Sequence, residues 1–298
     1  MVGRLYPFAL ADELLVEDST DRFVLGISKR GRLGNLGWAR QPAPQTLEGD
    51  DVEIETHAVG LNFRDIMSSM GLMQTPEEGF GLEGSGVVLR VGPGVKHLAA
   101  GNKVFFMRRN CFSSHVTIPE NMCEKLGDGL SSVDAATMPA VFITVVYSLL
   151  HVGGLRKGQS ILIHSACGGV GLAAIQIARM VGAEIYTTVG SEDKVQHLMT
   201  NFRIPRGRIF NSRNTSFVED VMRETGGKGV DLALNSLSGE LLHATWRCVA
   251  EFGKMVEIGK RDIIGSGKLD MDVFLANRSY CCVDVDQLCS KKPELCKE

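Results

Sequence analysis

Residues 161–179 read ILIHSACGGVGLAAIQIAR: a short apolar strand, a turn holding three glycines, and an alanine-rich helix. Ile161–His164 has the run of apolar residues expected of a buried strand, and the pattern from Gly169 onward has helical period, so Ser165–Gly171 must be the connecting turn. The same rhythm continues downstream. The sequence predicts a helix over 169–181, a strand over 184–189, a helix over 192–202, a helix over 215–225 and a strand over 231–235. It then predicts a helix over 239–250 and strands over 254–258 and 280–285. Strands alternating with helices of this length imply a parallel sheet covered on both faces, a doubly wound α/β domain.

The first 130 residues have another texture. Asp51–Val59 (DVEIETHAV) alternates polar and apolar residues, and Gly86–Val91 (GVVLRV) is stopped by the turn signal GPG at 92–94. Lys103–Phe106 and Ser114–Ile118 are shorter strand candidates, so this part reads as a mainly antiparallel β domain. Ser131–Leu150, with Ser131 or Ser132 as N-cap, reads as a long apolar helix opening the second part. With 298 residues the chain is long enough for about two domains, and the expected division is 1–130 and 131–298.

The glycine turn points to a ligand. Ala166-Cys167-Gly168-Gly169-Val170-Gly171 fits A-x-G-x-x-G, a dinucleotide fingerprint with alanine in first place. Gly168 would let the backbone approach a pyrophosphate, Gly171 would let the helix pack on the strand, and the N–H groups of Gly169 and Val170 at the helix start would face the phosphates. The next strand runs Tyr186-Thr187-Thr188-Val189-Gly190-Ser191 without the acid that holds a ribose 2′-hydroxyl, and Lys194 follows one turn later. Ser191 and Lys194 suit a 2′-phosphate, which favours NADPH. Glu192 and Asp193 are read as first-turn acids answering the helix dipole. Arg213 is a second cation if the next strand end lies alongside.

Other classes are disfavoured. A net charge of −3 carries no footprint for nucleic acid or an anionic membrane. No apolar run reaches the length of a membrane span, and Met1–Asp12 lacks a basic segment followed by an apolar core. Eight dispersed cysteines read as free thiols of a cytoplasmic protein. They show no closely spaced set, and the seven histidines show no H-x-E or H-x₃-H spacing, so no metal is expected. His57 and His164 are read as packing or hydrogen-bonding residues.

Several stretches carry a specific resemblance: GLNFRDIM at 60–67, FGLEGSGVVLRVGPGV at 80–95, MPAVFITVVYSL at 138–149 and HSACGGVGLAAIQIAR at 164–179. GVDLALNSLSGELLHATWRCVAEFGKMVEIGKRD at 229–262 and FLANRSY at 274–280 extend it through nearly the whole chain. The sequence resembles the enoyl reductase domain of polyketide and fatty acid synthases, closest in wording to fungal highly reducing polyketide synthases, within the medium-chain dehydrogenase/reductase superfamily. The resemblance implies a GroES-like β substrate domain followed by a Rossmann domain. Leu82, in Gly81-Leu82-Glu83, stands where zinc-dependent members carry a histidine ligand. It also implies a segment returning to complete the first domain, expected beyond Glu298.

For chemistry the resemblance implies Lys260 as proton donor with an acidic partner, Asp284 or Asp286, read here as two residues on one face of a strand. Asn62, Phe63 and Asp65 are implied near the nicotinamide, along with Thr144 and Asn235; Asp65 is otherwise read as a cap. The implied partners are an enoyl thioester on an acyl carrier protein, neighbouring synthase domains, and a second copy in a homodimer paired through the edge strand 280–285. Two alternatives remain open: a freestanding quinone or enone reductase, and a reductase-like pseudoenzyme with a binding or scaffold role.

Overall fold

The computed structural model describes residues 5–7, 22–44, 46–72, 79–292 and 294–295. The chain divides into two compact units, Met1–Ala140 with Lys292–Glu298, and Val141–Lys291.

In the first unit, β1 (Leu5–Pro7), β2 (Arg22–Ile27) and β3 (Leu36–Gln41) form an antiparallel sheet in the order β1-β3-β2. A second antiparallel sheet combines β4 (Asp51–Val59), β5 (Glu83–Val91), β6 (Lys103–Met107), β7 (His115–Pro119) and β8 (Cys123–Lys125) in the order β7-β4-β5-β6-β8. Val52, Ile54, Val88, Val104, Phe106, Val116 and Ile118 form its core. Glu53 breaks the inward apolar pattern of β4, and its buried carboxylate is held by Arg22 and Arg90. A short helix α1 (Phe63–Ser69) follows β4, and α2 (Ser132–Ala135) lies near the end of the unit.

The second unit begins within α3 (Pro139–Val146), which winds into a wider turn over Tyr147–Val152. Then come β9 (Ser160–Ile163), α4 (Gly169–Val181), β10 (Glu184–Val189), α5 (Glu192–Phe202), β11 (Ile209–Asn211) and α6 (Phe217–Glu224). The unit ends with β12 (Val230–Asn235), α7 (Glu240–Arg247), β13 (Val249–Glu257), α8 (Arg261–Ile264), β14 (Ser279–Cys282) and α9 (Val285–Lys291). All six strands are parallel, in the order β11-β10-β9-β12-β13-β14. The chain winds outward from β9 in one direction, then returns to β12 on its other side. Ligands of such sheets bind at that reversal, beyond the carboxyl ends of the central strands.

Three sequence expectations are corrected. The helix expected over 131–150 is broken after Ala135, because Pro139 has no N–H to continue the ladder and disfavours helical geometry in the residue before it. Ser131 is the N-cap, its Oγ accepting from Asp134 N at 3.1 Å. The helix expected over 239–250 ends at Arg247, since Val249 pairs with Val230 and starts a strand that runs 249–257 rather than 254–258. The strand expected over 280–285 stops at Cys282. Asp284 accepts from Gln287 N at 3.3 Å and opens α9, so Asp284 and Asp286 do not share a strand face.

Candidate functional site

Ala166 is fully buried beneath the turn between β9 and α4. A Cβ on Gly171 would meet the Ala166 Cα at 2.6 Å and its carbonyl carbon and oxygen at 2.7 Å, so only glycine lets α4 start this close to β9. Gly168 is different: a Cβ there would meet only Ser165 O, at 3.3 Å, and the residue is exposed to the space above. Gly169 packs toward Val141, and Val170 sits half-buried in the first turn against the core. Ser165 has φ of 52°, the left-handed region that sharpens the turn.

Above this turn lies a cavity of about 430 Å³. Ser165, Cys167 and Gly168 form one wall, Val189, Gly190 and Lys194 a second, Ser212 and Arg213 a third, and Ser236–Ser238 with Leu241 the fourth. Gly168, Lys194 and Arg213, far apart in sequence, thus meet at one place. Val189 pairs with Asn211, which sets the end of β11 beside the end of β10 and carries Arg213 onto Gly190. Ser191 occupies the N-cap position of α5 without lining the cavity, and Thr144 sits half-buried on α3, also outside the lining.

A buried polar chain runs under the cavity. Thr245 Oγ1 donates to Leu241 O at 2.8 Å, leaving a lone pair for His164 Nε2–H, also at 2.8 Å. His164 Nδ1 then accepts from the Thr188 hydroxyl at 2.8 Å. Burial holds this imidazole down to about 3, so it is neutral. Asn235 is fully buried; its amide donates to Leu237 O at 2.8 Å and to the Glu257 carboxylate. Glu257 accepts in turn from Gly259 N at 2.6 Å. Burial pushes Glu257 up to about 7, and the two hydrogen bonds offset this only in part. Sequence reasoning missed Glu257, which reads as the polar end of an ordinary strand.

Next to Gly259, Lys260 Nζ lies 2.7 Å from Asp284 Oδ2. Burial raises the Asp284 carboxyl, and the Lys260 hydrogen bond and charge more than reverse it, leaving the group below the usual carboxylate range. Asp286 lies in the first turn of α9. The loop carrying Lys260 is tied to the cavity wall, because Asp262 Oδ2 accepts from Gly239 N at 2.9 Å.

In the first unit, Asn62 and Asp65 work as structural ties. Asp65 accepts from Asn62 N at 2.9 Å and from Gly81 N at 2.7 Å. Asn62 Nδ2 donates to Glu83 Oε1 at 2.8 Å, and Ala140 N donates to Glu83 Oε2 at 2.7 Å. Phe63 is exposed on α1. Among the described residues, no group of three or more His, Cys, Asp or Glu side chains is placed to hold a metal. The seven described cysteines are free thiols, and no described helix is long and apolar enough to cross a membrane.

Comparison with known proteins places this geometry. Residues 48–148 match the alcohol dehydrogenase GroES-like domain, and residues 169–281 match the zinc-binding dehydrogenase domain. The donor set needed for the zinc in that second name is not found among the described side chains. The highly reducing polyketide synthase sphB of Aspergillus fumigatus is 54% identical over 292 residues, 96% of this chain and 12% of that protein, so the chain spans about an eighth of its relative. The structure of CurK enoyl reductase superposes with a TM-score of 0.83 at 34% identity, covering 92% of this chain and 84% of that one. Escherichia coli quinone oxidoreductase, solved in complex with NADPH, superposes with a TM-score of 0.77 at 26% identity, covering 92% and 84% of the two chains. With both domains matched and the sheet order shared with dinucleotide-binding folds, the chain belongs to the enoyl reductases of the medium-chain dehydrogenase/reductase family.

Proposed function

We propose that the chain is an NADPH-dependent enoyl reductase that saturates the α,β-double bond of an enoyl thioester during polyketide or fatty acid assembly. The observation that carries this is the Lys260–Asp284 pair, an ammonium held at 2.7 Å by a carboxylate at the carboxyl end of the nucleotide-binding sheet. NADPH, when bound, supplies hydride to C3 of the enoyl group. Lys260 then has the task of donating a proton toward C2 and stabilising the charge that develops on the thioester oxygen. Asp284, 2.7 Å from Nζ, keeps the ammonium aimed. Gly168 and the helix start admit the pyrophosphate, while Lys194 and Arg213, with Ser212 in the same wall and Ser191 at the start of α5, take the 2′-phosphate. Asn235 acts indirectly by holding the Ser236–Ser238 wall, and Thr144 is proposed on the nicotinamide side.

In this reading residues 1–130 form the substrate domain and residues 131–298 the nucleotide domain. The acyl chain arrives on an acyl carrier protein and neighbouring synthase domains share the polypeptide, as the name and length of the fungal relative suggest. Two copies pair through β14, an edge strand of the sheet. Free thiols fit a cytoplasmic setting. The test is NADPH oxidation followed at 340 nm with a crotonyl thioester and, in parallel, with a free quinone. Turnover of the thioester supports the proposal; turnover of the quinone alone would replace it with a quinone reductase.

A further inference from the structure

We propose that Glu257 is a positioning residue for the reduction, a carboxylate clamp that fixes the backbone from which Lys260 projects. The inference rests on Lys260 being the proton donor. Glu257 is 1% exposed at the end of β13, and its oxygens accept from Gly259 N at 2.6 Å and from the Asn235 amide. It thereby joins the loop after β12, which lines the cavity, to the loop after β13, which bears Lys260. Glycine suits this position, since a Cβ there would meet Glu257 Oε1 at 2.7 Å.

The charge balance argues that this carboxylate does more than stabilise the fold. Lys260 is paired with Asp284, and among the described residues the hydrogen bonds to Glu257 come from neutral donors. Burying a carboxylate without a cation is costly, and a neutral side chain would serve packing better. The groups facing it are mostly acidic or neutral: Asp262 from the following helix, Tyr280 and Cys282 from β14, and Asn235 from β12. Cys282 also feels the charges of Lys260 and Asp284. These surroundings keep the proton on Glu257 up to near neutrality. Protonation removes one acceptor from the clamp and loosens Gly259. Lowering the pH through about 7 therefore acts chiefly on Lys260, because Asn235 keeps its bond to Leu237 O in the cavity wall.

The test uses the purified chain, NADPH and a crotonyl thioester, with kcat, KM and NADPH affinity measured from pH 5.5 to 8.5. The wild-type kcat should fall as pH drops below about 7, with KM and NADPH affinity steady. Glu257→Gln should lower kcat about tenfold at pH 8 and abolish that acid limb. Amide exchange should show Gly259 less protected in the variant. Asp262→Asn keeps an oxygen for Gly239 N and removes one negative neighbour, so it should shift the acid limb to lower pH. If Glu257→Gln fails to fold, the limb and its response to Asp262→Asn decide the matter. An absent limb or one unmoved by Asp262→Asn, or unchanged Gly259 exchange in a folded Glu257→Gln, overturns the clamp. Wild-type protein that binds NADPH but ignores the thioester instead overturns the enoyl reductase reading, and the exchange measurement still tests the clamp.

Discussion

Arg213 lies directly against Gly190: a Cβ built on the glycine would stand 2.5 Å from Nε and 3.0 Å from Nη2 of the guanidinium. The missing side chain at the end of β10 is the space the cation occupies. Gly190→Ala should push Arg213 aside while leaving the fold intact, because the obstacle is the end of a flexible side chain. Its preference for NADPH over NADH should drop roughly 10–100-fold, the worth of a charge-assisted bond. Arg213→Ala and Lys194→Ala should act in the same direction. Fluorescence titration checks this, and undiminished discrimination in all three variants would refute the phosphate assignment.

Lys260→Met should lower kcat by roughly 10²–10⁴-fold, the usual contribution of a positioned acid. NADPH affinity should stay within about twofold, since Lys260 does not line the cavity. Asp284→Asn should cost less, because the ammonium remains but loses the carboxylate at 2.7 Å. Steady-state kinetics with direct cofactor titration separates the two effects. A Lys260→Met enzyme with near wild-type kcat would remove the lysine from the mechanism.

His164 makes stability depend on pH. Its folded value, about 3, lies below the ordinary value of 6.5, so the unfolded chain binds the extra proton between these limits. Its contribution is therefore complete above about pH 6.5 and lost as pH falls toward 3. The loss is about 1.4 kcal/mol per pH unit, or about 2 kcal/mol between pH 7 and 5. His164→Gln should be less stable at pH 7 by about 1–3 kcal/mol through imperfect pairing with Thr188 and Thr245. That deficit should shrink by about 2 kcal/mol at pH 5, as read by urea unfolding. A deficit independent of pH would show that His164 is not buried neutral.

Two glycines of the turn should separate by experiment. Gly171→Ala drives a Cβ into the Ala166 backbone at 2.6 Å and should destabilise the protein by about 1–3 kcal/mol. Gly168→Ala meets only Ser165 O at 3.3 Å, so stability should barely change while cofactor affinity falls at least tenfold. Thermal melts with and without NADPH distinguish them. Equal melting temperatures for the two variants would contradict these assignments.

The sequence displayed the nucleotide unit well because its strands and helices carry clean periods: 169–181, 184–189 and 192–202 appear in the structure at those bounds. Lys194 and Arg213 were visible as cations near strand ends, and β11 running beside β10 brings them together. Long-range pairing was harder to see. Nothing local ends the helix at Arg247; the partnership of Val249 with Val230 does. Nor does the run SYCCVDVD show that β14 stops at Cys282, since Asp284 acts as a cap only once Gln287 has turned into helix. Glu257 was invisible for a similar reason: its chemistry comes from being buried between two loops that only the sheet brings together.

The shortness of β14 has a consequence for how the protein fails. This four-residue strand pairs with β13 alone in the described sheet, and Asp284 hangs from its end. Segments with so few backbone hydrogen bonds open by sub-global fluctuations at free energies well below that of global unfolding. Each such opening would draw Asp284 away from Lys260 while β9, β10 and β12 at the centre stay paired. Under mild heat or denaturant the protein should therefore pass through a population that is loaded with cofactor and chemically idle. Amide exchange at Tyr280–Cys282, faster than at Ile161–Ile163, would mark that population.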